Sequence, residues 1–547
     1  YREIILEKIP PLIQQAKIMS QKYDVVCTNP PYMGNRGMNS KLVDYLKQYY
    51  DNTKSDLSTV FMEMCINSCS EYGFMAMINI PSWMYISSYE KLRDNIISNN
   101  TIINMLHLGR GVFGSDFGTT SFVIRKKSIK FYRASYRRLF RQQGLVDTNE
   151  TKEKWFLDGV GVYIISQDKF NMIPNKPIAY WLSQKAIDQF KNGISIASIS
   201  DYTGSQNKTA NNEKYIRYVW EINNNKVGVN QKWVTYSKGG DYRKHYGNLD
   251  YVVDWSPEAR HFYENNKTSN LLDSRYWYKE GITYTMLSIK GTSFRYLPPG
   301  CVFDMGGPTI NYVKNLFYLL GLLNSKVINY YLSVLNPTIN IQVRDIKNLP
   351  IIINNDFLSL VESIEKDNVK ISKTDWDSFE TSWDFKKHPL LAHKKEADTI
   401  EGAFINWSNF AENQFNQLKA NEEELNRIFI EIYGLQDELT PEVADEDITI
   451  SKADRERDIK SFISYAVGCM FGRYSLDEEG LIYAGGDFDD KFRLRDGQWE
   501  IKTKEGWKKS RVNIVEHNVI PIVDGDYFGD GILERFVDFV KVSFGEA

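Results

Sequence analysis

Residues 23–28, Tyr-Asp-Val-Val-Cys-Thr, form a short apolar run that ends abruptly at Asn29-Pro30-Pro31-Tyr32. This junction constrains the fold more than any other feature of the chain. Consecutive prolines have fixed φ and no N–H to donate, so a central strand ladder does not run through them. The residue before each proline is biased toward extended backbone. The run therefore reads as a buried parallel strand with a sharp end. A Gly-containing loop at 33–39 follows, then a helix through Leu42, Tyr45 and Leu46. A second helix, capped by Ser55 or Asp56, carries Leu57, Val60, Phe61, Met64 and Cys65 on one face. Strand 73–80, a helix near 89–97 and strands at 101–108 and 121–125 complete a β-α-β-α-β-β order. That order predicts an α/β fold, the second half of a Rossmann-like, doubly wound sheet. The chain opens at Tyr1 rather than Met, and it is expected to be the C-terminal part of a longer protein.

With 547 residues the chain is too long for one core, and four regions are expected. Residues 1–150 hold the half sheet, and 151–350 form an α+β region of short irregular strands rich in Gly, Asn, Lys, Tyr and Trp. Residues 351–454 are a helical spacer containing the amphipathic stretch through Phe404, Trp407, Phe410, Phe415, Leu418 and Leu425. Residues 455–547 form a last domain beyond an acidic linker at 437–447. A strong helix is expected from 317 to 335. The net charge of −3 excludes a chain-wide nucleic-acid footprint, so any DNA surface must be a local patch. Cys27, Cys65, Cys69, Cys301 and Cys469 lack metal-ligand spacing, so no metal is expected, and the odd sparse count fits reduced thiols in a cytoplasm. No apolar run reaches membrane-spanning length, so no membrane partner is expected.

The tetrapeptide lies where doubly wound folds place their ligands, at the carboxyl end of a strand. The exocyclic amino group of adenine is a poor nucleophile because its lone pair is delocalised into the ring. Methylating it calls for acceptors that hold its N–H bonds and an aromatic ring that stacks on the extruded base. An Asn side-chain oxygen, a proline-fixed carbonyl and a Tyr ring supply these groups without any covalent intermediate. A bare Asn-Pro-Pro-Tyr also suits a simple turn, and that alternative stays open.

The pattern resembles the amino-methyltransferases, which implies that Asn29 and the Pro30 carbonyl bind the target amino group and that Tyr32 stacks. The resemblance also implies a second aromatic in a loop before a late strand. Phe113, in Gly111-Val-Phe-Gly, is the candidate and Phe117 the fallback. Further stretches narrow the family. They are Asn29-Pro-Pro-Tyr-Met-Gly with Gly37-Met-Asn, Ser82-Trp-Met, Leu106-His-Leu-Gly, and Trp383-Asp-Phe with His388-Pro-Leu. Tyr465-Ala-Val-Gly-Cys-Met-Phe-Gly-Arg-Tyr-Ser-Leu-Asp and Gly480-Leu-Ile-Tyr-Ala-Gly-Gly follow. Together they resemble the PglX-type adenine-specific DNA methyltransferases of bacterial BREX phage-defence systems, which are related to type IIG restriction–modification enzymes.

The resemblance implies S-adenosylmethionine as methyl donor, double-stranded DNA as substrate, and a methyl mark on self DNA. Other phage-defence proteins or a phage inhibitor are the further partners it implies. The donor site of this family precedes Asn-Pro-Pro-Tyr by tens of residues, and only 28 precede it here, so cofactor residues are expected upstream and the chain alone is expected to be inactive. Leu319-Leu-Gly-Leu-Leu-Asn-Ser-Lys with Asp345-Ile-Lys-Asn-Leu-Pro resembles the end of target-recognition domains. Residues of roughly 180–350 would then read base edges in the major groove. Lys208, Lys238, Arg243, Lys244 and Arg295 are the candidate phosphate or base contacts there, and Arg133, Arg137, Arg138 and Arg141 form a candidate phosphate patch. His107, inside an apolar strand, is expected to be structural, and Asp24 is a candidate hydrogen-bonder near the cofactor edge. Two other readings compete: a glutamine or RNA methyltransferase using the same tetrapeptide, and a non-catalytic recognition or scaffold subunit.

Overall fold

The computed structural model describes residues 1–114, 117–141, 145–202, 204, 206–288, 290–336, 340–523 and 528–545. The chain divides into two compact units, the first made of 1–194, 330–338 and 348–352, the second of 195–329, 339–347 and 353–547.

The first unit starts with helix α1 (Arg2–Ser20), none of whose residues is buried. Strand β1 (Tyr23–Thr28) leads into the tetrapeptide. Helices α2 (Ser40–Tyr49) and α3 (Leu57–Ser68) follow, capped by Asn39 and Asp56, whose side chains accept from the backbone N–H of Leu42 and Ser58. Next come β2 (Cys69–Asn79), α4 (Glu90–Asn99), β3 (Thr101–Gly109), β4 (Thr119–Arg125), β5 (Arg133–Arg138), α5 (Asn149–Leu157), β6 (Val162–Ser166) and α6 (Gln184–Asn192). The six strands make one sheet in the order β1-β2-β4-β3-β5-β6. Pairs β1–β2 and β3–β5 are parallel, while β2–β4, β3–β4 and β5–β6 are antiparallel.

The apolar faces of α3, α4 and the central strands meet in a core of Met62, Ile66, Met75, Met77, Trp83, Leu92, Ile96, Ile102, Met105, Phe122 and Ile124. Each such fully buried side chain contributes about 1.5–3 kcal/mol of transfer free energy. Strand β1 lies at the edge of the sheet formed by these residues, with Val25 62% exposed and Val26 packed on the core. Strands β5 and β6, read by sequence as a basic segment and a new domain, join the same sheet and carry the unit to Ile194 instead of 150. Gly161 permits that return. Its φ is +70°, and a Cβ there would lie 2.2 Å from the Arg138 carbonyl oxygen.

The second unit contains α7 (Asn212–Tyr215) and two small sheets. One is β7 (Ile216–Tyr218), β8 (Trp233–Ser237), β9 (Tyr251–Asp254) and β12 (Val302–Phe303) in the order β12-β8-β9-β7, with α8 (Pro257–Asn265) after β9. The other is β10 (Gly281–Tyr284), β11 (Phe294–Leu297) and β13 (Thr309–Asn311) in the order β11-β10-β13.

The expected single helix 317–335 is two, α9 (Leu316–Asn324) and α10 (Lys326–Leu335). Ser325 breaks it with ψ 159°, while Asn324 pairs with both backbone groups of Phe294 at 2.9 Å, a sheet-like attachment that competes with helix continuation. After α11 (Val343–Lys347), the region is helical as expected, with α12 (Leu358–Asp377), α13 (Pro389–Ala392) and the 34-residue α14 (Ile400–Tyr433). Gly434, at φ +68°, ends α14.

The acidic segment after α14 is not a free linker. Val443, Ile448 and Ile450 pack on Ile371, Phe415 and Leu418, and Glu423 accepts from the Val443 N–H at 3.0 Å. Beyond it lie α15 (Arg455–Met470), the antiparallel meander β14 (Phe492–Arg495), β15 (Gln498–Thr503) and β16 (Gly506–Lys509), and α16 (Ile532–Phe544). α15 shares a core with α14 through Trp407, Ala411, Phe462, Tyr465 and Cys469, so no break in packing separates residues 455–547 from the helices before them. Residues 337–339, within the stretch read as the end of a recognition domain, lie outside the described residues.

Candidate active site

Because β1 and β2 run parallel, with Thr28 opposite Met77, their carboxyl ends coincide. Asn29 and Pro30 emerge there beside Ile78 and Asn79. Pro30 is buried, Asn29 and Pro31 are exposed, and Tyr32 is half-buried. The Tyr32 hydroxyl donates to Asn29 Oδ1 at 2.7 Å and lies 3.2 Å from the Ile78 carbonyl oxygen. Burial lifts the Tyr32 phenol above its ordinary pKa, so it stays a donor at neutral pH.

The ring that meets Tyr32 belongs to Phe117, edge to face at 5.5 Å between centroids. Phe113 lies in the turn after β3 and is 57% exposed. The fallback aromatic, rather than the first candidate, is therefore the one placed at the tetrapeptide.

Asn79, fully buried, was not singled out from sequence. Its amide donates to the Ser58 carbonyl at 3.3 Å and its Oδ1 accepts from the Ile80 N–H at 2.7 Å, tying the end of β2 to the start of α3. A lone polar residue closing the apolar run 73–80 was the available signal. Arg93, also fully buried, donates to the carbonyls of Trp83, Ile86, Asn175 and Lys176 and pins the turn after β2.

His107 is buried, with Nδ1 3.1 Å from the Tyr180 hydroxyl and its ring against Phe140. Burial, with Arg138 and Lys152 nearby, pushes its pKa down to about 3, so it is neutral and built into the sheet. Asp24 sits near the start of β1, away from the carboxyl edge, and accepts from Ser70 at 2.8 Å.

The expected cationic contacts separate into exposed and engaged groups. Arg133 is exposed on β5 and donates to the Ile164 carbonyl at 3.0 Å. Arg137 donates to the Phe156 carbonyl at 2.6 Å and lies over that ring, while Arg138 lies over Phe140. Arg141 pairs with Asp147 at 2.8 Å. Lys208 is exposed, and Lys238 faces Asp304 at 3.5 Å.

Three expected DNA contacts need correction, because they belong to a charge network inside the second unit. Arg243 pairs with Asp375 at 3.0 Å and lies over Trp376. Lys244, 5% exposed, pairs with Glu422. Arg295, fully buried, donates to Arg243 O, Ser293 Oγ and Thr285 Oγ1, and burial followed by the Arg243 charge pushes its pKa down to about 9. Lys244 and Arg295, buried in this way, have no surface to offer a phosphate, and the partly exposed Arg243 is held by Asp375. Between them sits His245, whose Nδ1 faces Glu365 at 2.8 Å and whose Nε2 faces Glu422 at 3.1 Å.

Among the described residues no helix is long and apolar enough to cross a membrane. A family model described as Eco57I restriction-modification methylase matches residues 6–113, a span that includes the tetrapeptide. The chain is 37% identical over 571 residues to the adenine-specific methyltransferase PglX of Lacticaseibacillus casei (strain Zhang), covering 98% of this chain and 45% of that protein. It is 33% identical over 577 residues to the adenine-specific methyltransferase BrxX of Escherichia coli O9:H4 (strain HS), covering 100% of this chain and 45% of that protein. The chain spans about half the length of these curated relatives. A solved structure of the type IIL restriction-modification enzyme MmeI in complex with DNA aligns with 76% of this chain and 55% of its own, at 10% identity and a TM-score of 0.45, too low for any argument to rest on it.

Proposed function

We propose, from a chain homologous along its length to PglX-type adenine-specific methyltransferases, that it carries the substrate half of a site-specific DNA adenine-N6 methyltransferase serving bacterial phage defence. The observation that carries this reading is the pairing of an exposed Asn29 carboxamide with an aromatic Tyr32 at the carboxyl end of a parallel strand pair. Asn29 Oδ1 and the Pro30 carbonyl accept the two N–H bonds of the adenine amino group. This draws its nitrogen away from conjugation and directs the lone pair out of the ring plane. Tyr32 stacks on the extruded base, with Phe117 as the second aromatic of the pocket in preference to Phe113.

S-adenosylmethionine is the proposed donor, and it supplies an electrophilic methyl carbon when bound. The described residues offer no cradle for it. Strand ends in the first unit lead into the prolines after β1, the turn Pro81–Met84 after β2 and the 109–114 turn after β3. None is a Gly-rich turn opening a helix, the arrangement that holds such a ligand. The part proposed for this chain is holding and orienting the base.

Residues of about 195–350 are the proposed DNA-reading region, with the exposed Lys208 there and Arg133 on β5 as phosphate contacts. The test is Asn29→Ala in the full-length protein, with genomic adenine methylation read by sequencing of modified bases. Loss of the mark is expected. Undiminished methylation refutes the assignment, and no methylation even by the unaltered protein favours a recognition or scaffold role.

A further inference from the structure

We infer that the Tyr32 hydroxyl is a positioning group that holds the Asn29 carboxamide with its oxygen, rather than its nitrogen, fixed for the incoming amino group. The inference rests on the proposed methyl transfer at the tetrapeptide and gives the Tyr a task separate from stacking. Asn29 is exposed, and the terminal torsion of an Asn side chain is broad and roughly two-fold, so an untethered carboxamide presents oxygen and nitrogen alternately. A flipped amide would point N–H donors at the N–H bonds of adenine, a repulsive pairing.

The phenol removes that ambiguity. Its hydroxyl stands 2.7 Å from Asn29 Oδ1, and the one proton donated along this short contact pairs with the carboxamide oxygen rather than with the amide N–H. A carboxamide oxygen has two lone pairs, so one remains for the substrate. The Ile78 carbonyl, 3.2 Å from the same hydroxyl at the end of β2, is the more distant of two acceptors competing for the one proton, which goes to the nearer Asn29 oxygen. Phe117, edge-on to the ring, fixes the direction from which the hydroxyl arrives. A Phe at this position would stack on a base equally well but would leave the carboxamide free to turn. Preorganisation of this kind acts on the chemical step more than on binding.

The experiment compares full-length wild type, Tyr32→Phe and Asn29→Ala, using unmethylated genomic DNA and radiolabelled S-adenosylmethionine to obtain kcat and the KM for DNA. Tyr32→Phe keeps the ring and is expected to lower kcat about ten-fold, the scale of one lost hydrogen bond felt at the transition state, with the KM for DNA within about two-fold. A melting temperature equal to that of wild type sets folding aside. Wild-type kcat in Tyr32→Phe overturns the inference, and so does a raised KM with unchanged kcat, which would place the hydroxyl in base binding. Asn29→Ala separates the two levels. If it still methylates, the reading of the site fails. If it is inactive while Tyr32→Phe is fully active, only the positioning role fails.

Discussion

Replacing His245 by Gln tests the buried charge network in the second unit. Both imidazole nitrogens face carboxylates, Glu365 at 2.8 Å and Glu422 at 3.1 Å, and a neutral ring has only one N–H to donate. The geometry therefore requires the doubly protonated, charged form. Burial opposes that charge, but Glu365 and Glu422 outweigh it and lift the pKa from 6.5 to about 9. A folded-state pKa raised above the unfolded value makes a contribution that is fully present below pH 6.5 and is lost as pH rises through 9. Within this window the folded chain holds one proton more than the unfolded chain. Stability then falls by about 1.4 kcal/mol per pH unit, about 3 kcal/mol over the whole span. Urea unfolding followed by fluorescence between pH 6.5 and 7.5, below the range where most thiols in the unfolded chain ionise, measures the slope in wild type and in His245→Gln. The variant is expected to be less stable at pH 6.5 and to lose most of that slope. Parallel pH dependences in the two proteins would falsify the account of a charged histidine held by two glutamates.

Below pH 6.5 the sign reverses. His107 and His388, each pushed down to about 3 by burial, stay neutral in the folded chain while their unfolded counterparts protonate, so acid unfolding is expected to take up protons. His107→Phe should flatten that limb measurably in a stability titration between pH 5 and 6.5. Phe117→Ala in the full-length enzyme is expected to lower methylation more than Phe113→Ala, and the reverse order in initial-rate assays would restore Phe113 as the base-packing ring. Arg93→Met strips donors from four carbonyls and should cost about 3 kcal/mol or more, visible as a lower denaturation midpoint. An unchanged midpoint would mean that water replaces the guanidinium.

Information carried locally in the chain was enough for much of this fold and for the centre of its candidate site. The prolines after Asn29 end β1 at Thr28. The cap Asp56, the apolar spacing of α3 and the long stripe of α14 announce their elements, because capping and periodicity act over a few residues. Tertiary structure decided which long-range partners these elements acquired. β5 carries arginines that look like a surface patch until β3 pairs with it. Arg243 and Lys244 look like DNA contacts until Asp375 and Glu422, 132 and 178 residues away, pair with them, and Arg295 looks like one until the fold buries it. Phe113 is the first candidate by sequence and Phe117 the fallback, and only the fold turns Phe117 onto Tyr32. Burial and charge pairing depend on contacts summed over the whole chain, and no window of sequence contains that sum.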